Sequence, residues 1–140
     1  MYIPSEAHVE RRVINPWKWQ DDFGFVQAVE VAGAQRSLVC SGQASQAEDG
    51  SPTHIGDMAQ QTARALDNLE VVLSQAGMAL EDVVRMTIFT TDVDLFLAEG
   101  AAVWGGRLAA SNCATTATLL GVARLAYPEL LIEFEATAMV

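Results

Sequence analysis

From Phe23 to Val31 apolar side chains fall on alternate positions, with Phe23, Phe25, Val29 and Val31 on one face, the period of a half-buried strand. Ala32-Gly33-Ala34-Gln35 then reads as a hairpin turn into a second strand, Arg36 to Ser41. Ser, Glu, Asp, Gly and Pro crowd the stretch Ala44 to Pro52, which is a loop. From about Gly56 to Ala76 the period lengthens to that of a helix. Met58, Thr62, Ala65, Leu69, Val72 and Ala76 make one stripe, and Gly77 stands where a left-handed C-terminal cap belongs. Val83 to Thr90 is rich in β-branched residues and predicts a strand. Asp92 or Asp94 caps a second helix running to about Ala110. Leu95, Leu97, Ala101, Val103 and Trp104 are its apolar positions, and Gly100, Gly105 and Gly106 weaken it. Thr115 to Leu125 and Leu130 to Met139 read as two closing strands joined across Ala126-Tyr127-Pro128-Glu129.

This order (strand pair, helix, strand, helix, strand pair) predicts a single α+β domain over residues 1–140, a two-layer fold with both helices on one side of the sheet. The other face of such a sheet needs cover, and a partner subunit is the simplest cover for a chain of this size.

Charge narrows the partners. Eight Lys+Arg against eighteen Asp+Glu give a net charge of −10, and Arg11-Arg12 is the only basic pair. That balance argues against nucleic acid, because contacts to phosphate supply most of such affinity. The apolar stretches are strand-sized, short of the roughly 20 residues of a membrane span. Met1 to Val13 carries His8, Glu10, Arg11 and Arg12 without an apolar signal core, so the expected location is cytoplasmic, with no membrane partner. Cys40 and Cys113 lack metal-ligand neighbours and read as small core residues; with only His8 and His54 besides, no metal site is expected.

Two places carry candidate chemistry. In Leu131-Ile132-Glu133-Phe134-Glu135-Ala136-Thr137-Ala138, alternation puts Glu133, Glu135 and Thr137 on one face and Ile132, Phe134 and Ala136 on the other. Two carboxylates about 7 Å apart on a strand face suit a general base, or a salt-bridged surface with Arg85 or Arg124. In Cys40-Ser41-Gly42-Gln43 a strand runs into a loop, and the glycine either permits close backbone approach to a ligand or simply ends the strand. Asn15-Pro16-Trp17-Lys18-Trp19 is aromatic; it fits a pocket or subunit contact, although Trp in a strand is more often core. Gly105-Gly106-Arg107 has no companion glycines for a phosphate loop.

These landmarks, in this order, make the chain similar to the Rid (YjgF-type) family over nearly its whole length. The carrying segments are Phe25-Val26-Gln27-Ala28-Val29, Ser41-Gly42-Gln43, Leu66-Asp67-Asn68-Leu69, Ala76-Gly77-Met78, Val83 to Thr91, Gly121-Val122-Ala123-Arg124-Leu125 and Ile132-Glu133-Phe134-Glu135-Ala136. The resemblance implies a chorismate-mutase-like α+β fold with a mixed sheet, a homotrimer with a central barrel, and small-molecule clefts between subunits. It also implies a cofactor-free enamine or imine deaminase, a hydrolase giving a carbonyl compound and ammonia. Carried over by position, Glu133 is the catalytic, water-positioning residue, and Ser41, Gly42, Phe25, Ala117 and Thr118 fall at the substrate-binding side. Two positions depart from the family pattern. Phe25 replaces a Tyr, and Ala117, counted back from Val122-Ala123-Arg124-Leu125, replaces the Arg that binds a substrate carboxylate. Alanine cannot clamp a carboxylate, so the resemblance points to a non-standard substrate, with a non-catalytic metabolite-binding trimer as the alternative.

Overall fold

The computed structural model describes residues 9–140; His8 and the residues before it lie outside that range. The strands are β1 (Glu10–Ile14), β2 (Ala28–Ala32), β3 (Ser37–Ala44), β4 (Val83–Thr90), β5 (Thr116–Gly121) and β6 (Ile132–Met139). Helix α1 spans Met58–Gln75. A second rod is made of α2 (Val93–Leu95), a π-helical turn (Phe96–Gly100) and α3 (Ala101–Ala110).

Four strands form the main sheet in the order β3-β6-β4-β5. β6 runs antiparallel to both β3 and β4, and β4 runs parallel to β5, so the sheet is mixed as expected. The expected pairings at both ends are corrected. β2 does not hairpin onto β3; it pairs with β1 as a separate two-stranded ribbon. β5 and β6 are not neighbours either, because β4 lies between them. Gly33 does turn the chain with φ of 75°, but the turn leads from one sheet to the other. The strand expected from Phe23 starts only at Ala28: Asp21–Phe23 is a 3₁₀ turn ended by Gly24 at φ 85°, and only Val26 makes an isolated bridge, to Thr116. Trp17 and Trp19 lie outside strands and are about 60% exposed, so they are not core.

Helix α1 follows its sequence signals closely. Asp57 caps it, its side chain accepting from the Gln60 amide at 3.0 Å, and Gly77 follows its end at φ 70°. Met58, Thr62, Ala65, Leu66, Leu69 and Leu73 are buried against the sheet. Two polar residues of α1 tie it to the ends of the strands that matter below. Buried Gln61 donates to the Glu129 carbonyl at 2.9 Å and accepts from the Leu131 amide at 2.9 Å, fixing the entry to β6. Asn68 donates to the carbonyls of Ala44 and Gln46 at 2.9 and 3.0 Å, fixing the exit of β3.

Asp92, not Asp94, caps the second rod, its side chain accepting from the Leu95 amide at 3.0 Å. At Gly100 a Cβ would fall 2.5 Å from Phe96 Cδ2 and 2.9 Å from Thr62 Oγ1, so glycine lets the two helical layers close up there. Arg107 locks the layers further, donating to Asp67 at 2.7 Å and Glu70 at 2.8 Å. Cys40 and Cys113 are buried in the core, as expected, and burial pushes the Cys113 thiol up to about 12.

Candidate functional site

The registers settle which side chains share a face. Met86 pairs with Ala117 and Ala136, and Ile88 with Leu119 and Phe134; all six therefore point toward the helices. Thr87 pairs with Thr118 and Glu135, and Phe89 with Glu133, so these point to the opposite face, which no element of the described chain covers. The predicted division of β6 into a carboxylate face and an apolar face is thus observed, with Ile132 and Phe134 fully buried and Glu133 and Glu135 on the open side.

On the open side, β3 carries a bulge. Cys40 pairs with Ala136 and Gln43 with Phe134, which leaves Ser41 and Gly42 together opposite the single residue Glu135. The bulge brings the Gly42 backbone against Glu133: a Cβ built on Gly42 would overlap the Glu133 carboxylate, so any larger residue requires Glu133 to shift from its place. Half-buried in this way, Glu133 has its pKa raised, first by burial and then by the nearby Glu135 charge. Glu135 forms none of the ion pairs found among the described residues. Arg85 instead donates to Thr118 Oγ1 at 2.9 Å, and Arg124 turns back onto the Leu125 and Ala126 carbonyls at 3.2 and 3.3 Å. The salt-bridged surface anticipated there is absent from these pairings.

On the helix side lies a cleft of about 590 Å³. Phe25 and Ala117 line it together with Phe96, Trp104 and Leu119, and the charged residues of its lining are Asp21 and Asp22. Trp104 is held by its indole N–H, which donates to the Met86 sulfur at 3.1 Å; Phe25 is held by an edge-to-face contact with Trp19, ring centres 6.0 Å apart. The residues singled out in the sequence therefore divide. Glu133, Gly42 and Thr118 stand on the open face, with Ser41 in the bulge beside them, and Phe25 and Ala117 on the cleft side. A single chain does not bring the two groups into one pocket. Arg107, the remaining cation near the cleft, is committed to α1 by its two carboxylate contacts.

Sequence reasoning missed the cleft wall formed by Ala101, Ala102, Gly105, Gly106 and Ala109. The signal was there as a run of small residues recurring on one side of a helix, which leaves a hollow where larger side chains would pack.

The family model described as endoribonuclease L-PSP matches residues 21–140. The chain belongs to this Rid/YjgF family. YyfB of Yersinia pestis, a Rid family protein, is 37% identical in its solved structure, with a TM-score of 0.84 over 93% of this chain and 98% of that one. The structure of Escherichia coli TdcF with bound serine is 26% identical, with a TM-score of 0.67 over 91% of this chain and 90% of TdcF. Among curated sequences, the mitochondrial protein mmf2 of Schizosaccharomyces pombe is 42% identical over 51% of this chain and 53% of its own length. The chain thus spans about half the length of that relative. The α+β fold with a mixed sheet and two helical rods is that of the Rid/YjgF structures. No helix among the described residues is long and apolar enough to cross a membrane.

Proposed function

We propose that this Rid/YjgF protein is an enamine or imine deaminase that works as a homotrimer, with Glu133 of one copy facing the apolar cleft of the next. The observation that carries the reading is the fit of Glu133 into the glycine bulge. A half-buried carboxylate packed close against the Gly42 backbone, with its pKa raised by burial, is suited to orient a water and take its proton. Attack of that water on the C=N carbon, followed by loss of ammonia, leaves a carbonyl compound and needs no group beyond the chain's own residues. The Gly42 and Ser41 backbone lies beside the same carboxylate and is available to position the substrate.

Assembly supports the reading by geometry. The open face exposes Val39 at 80% and Leu120 at 43% beside the carboxylates, an area a second copy would cover. Only a neighbouring copy can bring Glu133 to a cleft that opens on the other side of the sheet. TdcF holds serine, a small amino acid, and a small-molecule ligand is the corresponding expectation for this chain. RNA cleavage, the activity in the family's description, finds little support. The net charge is −10, and Arg11, Arg12 and Arg107 are each already paired with carboxylates. A binding role without catalysis is favoured by one specific observation: Ala117 and Phe25 stand where the family pattern has an Arg and a Tyr.

Decay of freshly generated imines, followed with and without the protein, tests the reading. Acceleration by native protein, lost in Glu133→Gln with ligand binding retained, is the expected result. A correctly assembled trimer that accelerates no imine would instead establish the binding role, and light scattering from a monomer would remove the between-copy site.

A further inference from the structure

The cleft on the helix side has a chemical character of its own. Its body is apolar and aromatic, with Phe23, Phe25, Phe96 and Trp104 around a floor of Ala117 and Leu119. Its lining residues of full charge are Asp21 and Asp22, both exposed, and none is Lys or Arg. A negative carboxylate entering this space would meet two like charges and no Lys or Arg in the cleft's own lining, in a chain already at −10. A cation with an apolar body meets the reverse: aromatic rings that attract positive charge, small residues that leave room, and two carboxylates in the lining.

We propose that the cleft takes an organic cation without a carboxylate, and that the substrate is the iminium of an alkyl or arylalkyl amine. This rests on the deaminase reading above and names its substrate class. In the reaction, the water oxygen bonds to the iminium carbon while the C=N π pair moves to nitrogen, giving a carbinolamine. One proton passes from oxygen to nitrogen, the C–N bond breaks with its pair on nitrogen, and the remaining O–H proton passes to the released ammonia, so the products are an aldehyde or ketone and ammonium. Atoms and charge balance with no oxidant or reductant. The iminium itself must come from two-electron oxidation of a primary amine, not of an amino acid.

The test compares two imines that differ in one group. A flavin amine oxidase acting on 2-phenylethylamine supplies the cation, and a flavin amino-acid oxidase acting on phenylalanine supplies the same skeleton with a carboxylate. Imine decay is followed with native protein, Ala117→Arg and the Asp21→Asn/Asp22→Asn double variant. In parallel, 2-phenylethylammonium, which cannot be hydrolysed, is titrated against tryptophan fluorescence. The expected result is a kcat/KM about tenfold or more higher for the carboxylate-free imine. Ala117→Arg should reverse that preference, and the Asp double variant should weaken 2-phenylethylammonium binding about two- to fivefold, less at high salt. Equal or better turnover of the carboxylate-bearing imine would overturn the substrate class and leave the deaminase reading standing. Binding of 2-phenylethylammonium with no acceleration of either imine would keep the cation site and overturn the deaminase. No binding and no acceleration would overturn both.

Discussion

The two faces of the main sheet come from the same four strands by the same alternation, yet they are governed by different physics. Toward the helices, Ile132, Phe134, Met86 and Ala138 are closed from solvent almost completely, and their positions are set by close packing. On the other face, one residue along the same strands, Glu133 and Glu135 lie side by side, Arg85 reaches only a threonine, and Val39 is 80% exposed. A single strand such as β6 therefore carries a structural duty and a chemical one on alternate residues. Neighbours in sequence should respond to mutation in unlike ways.

The largest effect is expected on the packed face. Phe134→Ala removes a fully buried ring and should cost about 3–5 kcal/mol in equilibrium unfolding by urea, enough to consume much of a small domain's stability. A loss under 1 kcal/mol would mean that the two faces are less distinct than their burial implies. Next comes the contact between β3 and β6. Gly42→Ala puts a methyl into the space of the Glu133 carboxylate, whose flexible end can swing aside, and we expect a cost under about 1 kcal/mol together with loss of turnover, as Glu133 is driven from its place. Full activity in a folded Gly42→Ala protein would remove Glu133 from the chemistry. On the open face, Val39→Asp should leave the fold of one chain within about 0.5 kcal/mol, because its side chain already faces solvent. Light scattering should nonetheless show a smaller particle; an unchanged particle would place the subunit contact elsewhere.

The smallest effect sharpens the comparison through pH. Burial raises the pKa of Glu133 in the folded chain above its unfolded value. Its contribution is therefore fully favourable below the ordinary carboxylate range and is lost as pH rises through the raised value, where ionisation costs stability. Glu133→Gln stays neutral throughout. Its melting temperature should match the native protein's near pH 3 and exceed it at pH 8; a difference of opposite sign would mean that the carboxylate is held by a stabilising partner.

Much of the local structure could be read from the residues themselves. Helix α1, its Gly77 end, strand β4 and the two-faced character of β6 all follow from patterns spanning a few residues. The pairing of strands did not, since β6 reaches its place between β3 and β4 through contacts that local alternation does not encode, and a parallel β4–β5 pair has no turn to announce it. The start of β2 was misplaced because Phe23 and Phe25 keep a strand's spacing across Gly24, whose positive φ breaks it. Glu133 and Gly42 were visible as candidates, but their mutual contact arises from the bulge and requires coordinates. The cleft was hidden because glycines 105 and 106 read as weak points of a helix, whereas they form part of its hollow wall.

The π-helical turn at Phe96–Gly100 has a bearing on how such a cleft can change over generations. Its looser winding accommodates an additional residue relative to an ordinary helical turn. Each residue along an ordinary α-helix advances it by about 100°, but a residue deleted here would only turn the wide turn into an ordinary one, leaving Trp104, Gly105 and the remainder of α3 facing as they do. The turn thus lets the gene gain or lose a codon at this point while the small-residue wall of the cleft and every strand of the sheet keep their places.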